Sequence, residues 1–264
     1  MMKAMILAAG MATRLRPISD TTPKALVELG GTPMLQIVVE KLIRAGVTDI
    51  VVNVHHHADQ MKAFIASLHD LHVRLHISDE TSLLLDTGGG VKKARTWLDG
   101  DMPFFVYNID ILSAIDLADL YQAHLAGNAL ATLAVSDRPS SRYFLWDGDK
   151  LAGWEHSGTG ERILCRGDKS HPTKEKENMQ RQQTKPYQRK AFTGIAVISP
   201  AIFDLMPDEP VFSIKDVYLR LAGDWPIRCY NHEHTSWHDI GTPEKLAHAH
   251  RYVEEQQKKN ASAP

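Results

Sequence analysis

The sequence is poor in cysteine, has no excess of positive charge and lacks any long apolar run, and each shortage removes a class of protein. Only Cys165 and Cys229 occur in 264 residues, far apart and outside any CxxC pattern. That excludes a disulfide framework and a cysteine zinc site, and it suits a reducing compartment. A formal net charge of −2 argues against a general binder of nucleic acid or of membrane surfaces, since both use a basic excess or patch. A compact basic site for phosphates stays permitted. No stretch approaches the roughly 20 apolar residues that cross a bilayer. The apolar start, Met5-Ile6-Leu7-Ala8-Ala9, lacks the length and cleavage region of a signal peptide. The expectation is a cytoplasmic monomer or homodimer with no nucleic-acid or membrane partner.

What is present is an ordinary globular composition, 43% apolar, in a chain long enough for one large domain with a substantial core. Residues 3–9 read as a buried strand ending in glycine. A Pro- and Thr-rich loop leads to a helical pattern from Met34 to Ala45. Asp49–Val54 and Val73–Ile77 read as strands, with an amphipathic helix, His57–Leu68, between them. Gly88-Gly89-Gly90 opens another helix, and Phe104–Tyr107 is a fourth strand with Asp110 just beyond it. Continuous apolar strands alternating with helices indicate a parallel sheet covered on both faces, and ligands bind such sheets at the strands' carboxyl ends.

In the second half, Ala129–Val135 and Ala191–Ile198 are further strands. Arg142–Trp154 reads as a hairpin turning at Asp147-Gly148-Asp149. Residues 157–190 are polar and read as a solvated loop or, alternatively, as an active-site flap. Pro243–Gln257 is helical and Lys258–Pro264 a frayed tail. The division is one domain over residues 1–250, with 157–190 as a polar insertion and 251–264 as the helix end and tail.

The densest signal is LAAGMATRLRPISDTTPKALVELGGTPMLQ, residues 7–36. Small side chains at Ala8, Ala9 and Gly10 let a base and ribose lie against the backbone, while loop N–H groups can cradle phosphates. Thr13, Arg14 and Lys24 add a hydroxyl and two cations, the groups that offset charge on a departing pyrophosphate. Singly, Gly10 also reads as a turn, Arg14 as a surface residue and Lys24 as a helix start. Asp86-Thr87-Gly88-Gly89-Gly90, preceded by Glu80, permits close backbone approach by a ligand or is a capped turn. Asn108-Ile109-Asp110 ends an apolar strand, where a carboxylate can hold Mg²⁺ or cap the next helix. In Trp237-His238-Asp239-Ile240-Gly241-Thr242-Pro243, helix capping accounts for Thr242 and Pro243 but not for Asp239. Thr193-Gly194 reads as a strand bulge. His55-His56-His57 cannot converge on one ion from a strand, because adjacent residues point to opposite faces.

These strings resemble the sugar-phosphate nucleotidyltransferase family, whose signature is a leading strand, G-x-G-T-R-[LM]-x-P and a later P-K. Gly10, Thr13, Arg14, Leu15, Pro17 and Pro23-Lys24 match it; the second glycine is Ala12 here, and the usual Gly-Asp is Ile109-Asp110. The resemblance implies a Rossmann-like α/β three-layer sandwich around a central, mostly parallel sheet, of the nucleotide-diphospho-sugar transferase type. It implies Mg²⁺ as cofactor, an NTP and a sugar 1-phosphate as substrates, and an NDP-sugar and pyrophosphate as products. Arg14, Lys24 and Asp110 take catalytic roles, and Asp110 and Asp239 bind the metal. Ala8, Ala9, Gly10, Thr13, Glu80, Gly88, Gly89 and Asn108 form the nucleotide pocket, with Glu80 a candidate acceptor for the base edge. Thr193 and Gly194 lie against the sugar. The order of motifs is most similar to uridylyltransferases acting on N-acetylmuramate 1-phosphate, a cell-wall sugar. Mannose or heptose 1-phosphate guanylyltransferases are the nearest alternative. A cytidylyltransferase for an alcohol phosphate of the choline phosphate type and a non-catalytic nucleotide-binding regulator are further ones.

Overall fold

The apolar runs of the first half are continuous because their strands are covered on both faces. The computed structural model describes residues 1–165 and 186–261. Strand β1 (Met2–Leu7) is followed by the short hairpin β2 (Glu28–Leu29) and β3 (Thr32–Pro33) and by helix α1 (Met34–Arg44). Then come β4 (Val47–Val54), α2 (Ala58–Ser67), β5 (Arg74–Asp79), α3 (Asp86–Lys93), α4 (Arg95–Leu98) and β6 (Phe104–Asn108). Successive residues enter opposite cores: Ala4 and Ile6 one, Met5 the other; Ile50 and Val52 one, Val51 the other; Phe105 and Tyr107 one, Phe104 and Val106 the other. That is the twofold alternation of a strand, with both sides apolar.

The four strands run parallel in the order β6-β1-β4-β5. The chain moves outward from β1 to β4 to β5, then crosses back over β1 to β6. This reversal opens a crevice beyond the carboxyl ends of β1 and β6, where ligands settle in open α/β sheets.

The second half contains β7 (Ile111–Ser113), α5 (Leu117–Gly127), β8 (Ala131–Ser136), β9 (Arg142–Asp147), β10 (Lys150–His156), β11 (Arg162–Leu164) and β12 (Gln188–Ile198). It ends with α6 (Ile214–Leu221), β13 (Ile227–Asn231), β14 (Trp237–Asp239) and α7 (Pro243–Ala261). β12 joins the sheet antiparallel to β6 and β8, and β13 lies parallel to β8, so the parallel half continues into a mixed one. The β9–β10 hairpin turns at Gly148, whose φ of +61° fits glycine.

Several boundaries differ from those read in the sequence. Residues 157–190 are not loop throughout, since β11 pairs with β10 and β12 begins at Gln188; residues 166–185 lie outside the described residues. Helix α7 continues to Ala261, past the expected end at Gln257. Its Val253 and Gln257 close over Gly30 of the β2–β3 turn, and Gln257 Nε2 donates to the Gly30 carbonyl at 3.2 Å. Helices α5 and α6 are absent from the sequence reading. The inward stripe of α5 carries a histidine, and α6 has eight residues. No helix among the described residues is long and apolar enough to cross a membrane.

That histidine, His124, is buried at 1% exposure, with its ring nitrogens 3.0 Å from Thr132 Oγ1 and 3.1 Å from Ser199 Oγ. Burial pushes the imidazole down to about 4. Above roughly pH 6.5 both folded and unfolded chains hold it neutral. As pH falls from there towards 4, the unfolded chain takes up a proton that the folded chain refuses, so stability is lost across that window. Urea denaturation at about pH 7 and about pH 5 should show the parent losing roughly 2 kcal/mol more than His124→Gln; equal losses would refute this role for His124.

Candidate active site

A cleft of about 600 Å³ lies at the crevice between β1 and β6, walled by the loop from Ala8 to Arg14 and by Lys24, Asn108 and Asp110. Strand β1 ends at Leu7 because the next two peptide groups leave the ladder. Their N–H groups donate to Asn53 Oδ1, Ala8 at 2.6 Å and Ala9 at 3.2 Å. The amides from Gly10 to Ala12 have no partner among the described residues and remain available to an anion. Ala12 sits at φ 50°, ψ 30°, a left-handed conformation that favours glycine and costs a non-glycine residue about 1–2 kcal/mol. The local backbone thus explains why glycine is the family's choice at this position. A short 3-10 turn, Thr13–Leu15, then buries Leu15 and leaves Thr13 and Arg14 exposed at the cleft.

Two aspartates 129 positions apart come to neighbouring strands, Asp110 lining the cleft and Asp239 beside it. β7 and β14 form an antiparallel ribbon with Ile111 opposite Asp239, and Ile240 N–H donates to the Asp110 carbonyl at 2.9 Å. Lys24 Nζ donates to Asp110 Oδ2 at 2.6 Å. Asp239 Oδ1 accepts from Gly241 N at 2.8 Å, and its Oδ2 is paired with Lys245 Nζ. A Cβ at Gly241 would stand 3.5 Å from Arg14 Nη2 and 3.7 Å from Lys24 Nζ, which places both cations beside the Asp239 turn. Burial pushes the Asp239 carboxyl up, but the Lys245 ammonium, the Gly241 N–H and the charge of Lys24 outweigh it. The group therefore rests below the usual aspartate range. Among the described residues no three His, Cys, Asp or Glu side chains gather as a cation site.

Four of the expected contact residues have their polar groups or their open faces engaged by the protein itself, although Glu80 also lines the cleft. Glu80 is fully buried, with Oε1 accepting from Asn53 Nδ2 at 2.8 Å and Oε2 from Leu85 N at 3.1 Å, so both oxygens are taken by protein rather than offered to a base. Gly88 and Gly89 both donate their N–H groups to the Phe212 carbonyl, at 2.9 and 3.2 Å. A Cβ on Gly88 would meet the Phe212 ring at 2.4 Å and one on Gly89 the Pro210 carbonyl at 2.1 Å. The close approach that these glycines permit is made by the chain itself, and it brings Val211 to the cleft, which Leu84, Asp86 and Thr87 also line. Thr193 is fully buried, its hydroxyl donating to the Ala134 carbonyl at 2.9 Å and lying 3.0 Å from His232 Nε2. Gly194, at φ +84° in the bulge of β12, packs on Asn108 and Ile111.

The three histidines have different partners: His55 Nδ1 lies 2.7 Å from the Glu80 carbonyl and His57 Nε2 3.2 Å from that of Ser19, while the His56 and His57 ring centroids lie 3.9 Å apart. Sequence reasoning passes over three residues that matter here. Asn53 was visible as the one polar side chain in Ile50-Val51-Val52-Asn53-Val54. Lys245 was visible as a cation in the first turn of the helix that starts at Pro243, six positions after Asp239. Arg138 had no signal. Its guanidinium lies 3.9 Å over the Trp237 ring and donates through Nη2 to the Phe192 carbonyl at 2.9 Å. Burial pulls its pKa down against the pull of Asp239.

Comparison with known proteins follows the same lines. A family model described as nucleotidyl transferase matches residues 3–146. The N-acetylmuramate alpha-1-phosphate uridylyltransferase of Caulobacter vibrioides is 32% identical over 95% of this chain and 97% of its own length. The mannose-1-phosphate guanyltransferase of Schizosaccharomyces pombe is 30% identical over 92% of this chain, which spans 61% of that protein. Among solved structures, a UDP-glucose pyrophosphorylase from Acinetobacter baumanii superposes with a TM-score of 0.73 at 16% identity, covering 96% of this chain and 93% of that one. The inositol-1-phosphate CTP transferase from T. maritima gives 0.68 at 15%, covering 96% of each. At such identities these two likenesses speak for the fold.

The packing of Gly89 yields a test of its role. Gly89→Ala should lower stability by about 1–3 kcal/mol in urea without any nucleotide present, as overpacking does. A glycine reserved for ligand approach would leave the free protein's stability unchanged.

Proposed function

The chain belongs to the nucleotidyl transferase family, and we propose that it transfers the nucleoside monophosphate of an NTP to a sugar 1-phosphate, releasing pyrophosphate. The observation that carries this reading is the gathering of Arg14, Lys24 and Asp110 in the cleft under an amide-lined loop at the strand-order reversal, with Asp239 on the strand paired beside Asp110. We assign residues 1–250 to the catalytic domain. The best-supported substrates are UTP and N-acetylmuramate 1-phosphate, which would place the enzyme in nucleotide-sugar supply for the cell wall, in the cytoplasm. Supporting this pair are the motifs Asp86-Thr87-Gly88-Gly89-Gly90, Asn108-Ile109-Asp110, Phe192-Thr193-Gly194-Ile195 and Trp237–Thr242, together with the uridylyltransferase match along nearly the whole of both chains. Mannose 1-phosphate guanylyl transfer is the second reading, favoured by the guanyltransferase relatives.

In this reading an oxygen of the sugar phosphate attacks the α-phosphorus in line as the bond to pyrophosphate breaks. The attacking monoester is already anionic at neutral pH, so no general base is needed. Gly10 to Ala12 would cradle the phosphates through backbone N–H groups, and Arg14 and Lys24 would offset the charge that moves onto pyrophosphate. Asn108 would face the nucleotide, and Gly194 would shape the adjoining sugar side.

Asp110 and Asp239 suit a hard cation. Both are carboxylates, both already hold a lysine ammonium, and one or two carboxylates are enough for Mg²⁺ beside substrate phosphates and water. Bound there, Mg²⁺ would supply Lewis-acid neutralisation of the phosphoryl oxygens.

Pyrophosphate release, measured with each NTP crossed against a panel of sugar 1-phosphates with Mg²⁺ or EDTA, tests the proposal. The expected result is turnover with UTP and N-acetylmuramate 1-phosphate, abolished by EDTA. Lys24→Ala and Asp110→Asn should each lower kcat by about 10²–10³-fold while remaining folded. Turnover with GTP and mannose 1-phosphate would keep the reaction and change the substrate. Silence across the panel would favour an alcohol phosphate acceptor or a binding-only role.

A further inference from the structure

We propose that Asn53 is a positioning residue for the nucleotide, acting with Glu80 as a buried relay that sets the shape of the Ala8–Ala9 loop. The proposal rests on the cleft being a nucleotide site, as argued above.

A primary amide at 3% exposure in an apolar strand must have both ends satisfied. The oxygen of Asn53 takes the Ala8 and Ala9 N–H groups, which only an acceptor can do, so its NH₂ faces Glu80 Oε1 at 2.8 Å. The second oxygen of Glu80 accepts from Leu85 N. Hydrogen bonds therefore run without a gap from residue 85, beside the Leu84 wall of the cleft, through Glu80 and Asn53 to the first two residues of the opposite wall.

The relay stands where the sheet stops guiding the chain. The β1–β4 ladder ends at Ile6 opposite Val52. One residue further along β4, a side-chain oxygen replaces the backbone carbonyl that would have extended it. Space for this comes from Gly90, where a Cβ would stand 2.9 Å from Glu80 Oε1 and 3.0 Å from Asn53 Nδ2. Asn53 and Glu80 line the same cleft as Lys24 and Asp110, but neither is hydrogen-bonded to Lys24, Asp110 or Asp239. Their effect should thus fall on nucleotide binding rather than on the chemical step, because preorganisation of a loop lowers the ordering cost of binding.

The test swaps donor and acceptor. Asn53→Asp keeps an acceptor for Ala8 and Ala9 but sets a second carboxyl oxygen against Glu80. Adding Glu80→Gln restores the chain of bonds. The new amide at position 80 accepts from Leu85 N and donates to the new carboxyl at position 53, with the total charge unchanged. Calorimetric titration of the full chain with UTP and GTP, alongside steady-state kinetics, should show Asn53→Asp weakening NTP binding about 10-fold or more, equivalent to ~1.4 kcal/mol. The double variant should return to within about 3-fold of the parent, while kcat and the sugar-phosphate KM move less than about 3-fold throughout. If Asn53→Asp does not fold, the double variant should still fold and bind NTP. Unaltered NTP affinity in folded Asn53→Asp, or a double variant no better than the single one, overturns the relay. A parent chain that binds no NTP overturns the functional reading instead, so the two failures are distinct.

Discussion

The antiparallel pairing of β7 with β14 is the contact on which the arrangement of the candidate site depends. Each strand has three residues, yet their register sets Asp239 opposite Ile111 and so beside Asp110. Two carboxylates brought together repel unless positive charge lies between them. Lys24 and Lys245 supply it, one from the N-terminal string and one from the first turn of α7. The floor of the cleft is thus a balanced cluster drawn from three distant parts of the chain. The strand-order reversal at β1 provides the crevice above it.

The glycine-rich segment shows how one physical property can serve two ends. Glycine allows close approach by anything, whether a ligand or another stretch of backbone. At Gly88 and Gly89 the approaching partner is Pro210–Ile214, which hydrogen-bonds to the start of α3 and carries Val211 to the cleft. At Gly90 it is the Asn53–Glu80 pair. These glycines therefore shape the pocket wall from behind. A similar displacement affects Thr193, whose hydroxyl is used within the sheet while the neighbouring Gly194 meets Asn108.

The two halves of the sheet divide the labour. The parallel half buries both faces of its strands and so presents a rigid edge of strand ends. The mixed half brings β12 against β6 and places Arg138 over Trp237, next to Asp239. Rigid elements carrying a loop-borne site are a common arrangement, since connecting segments adapt more easily than cores do.

From the sequence alone, the parallel strands, the loop of residues 7–36 and the two aspartates Asp110 and Asp239 could be read as candidates. Apolar periodicity and the order of motifs are local properties that need no knowledge of partners. The departure at Ala12 was visible too, although its left-handed backbone was not. Tertiary structure alone decided what each polar group faces. Asn53 and Glu80 sit 27 positions apart, and β4 lying next to β5 joins them; Thr193 meets Ala134 and His232 through strand pairing. Helix α5 escaped because a buried histidine interrupts its apolar stripe, and α6 because its stripe covers only eight residues. A side chain's neighbours across a sheet are set by topology and register. Those are properties of the whole fold, and no window of residues contains them.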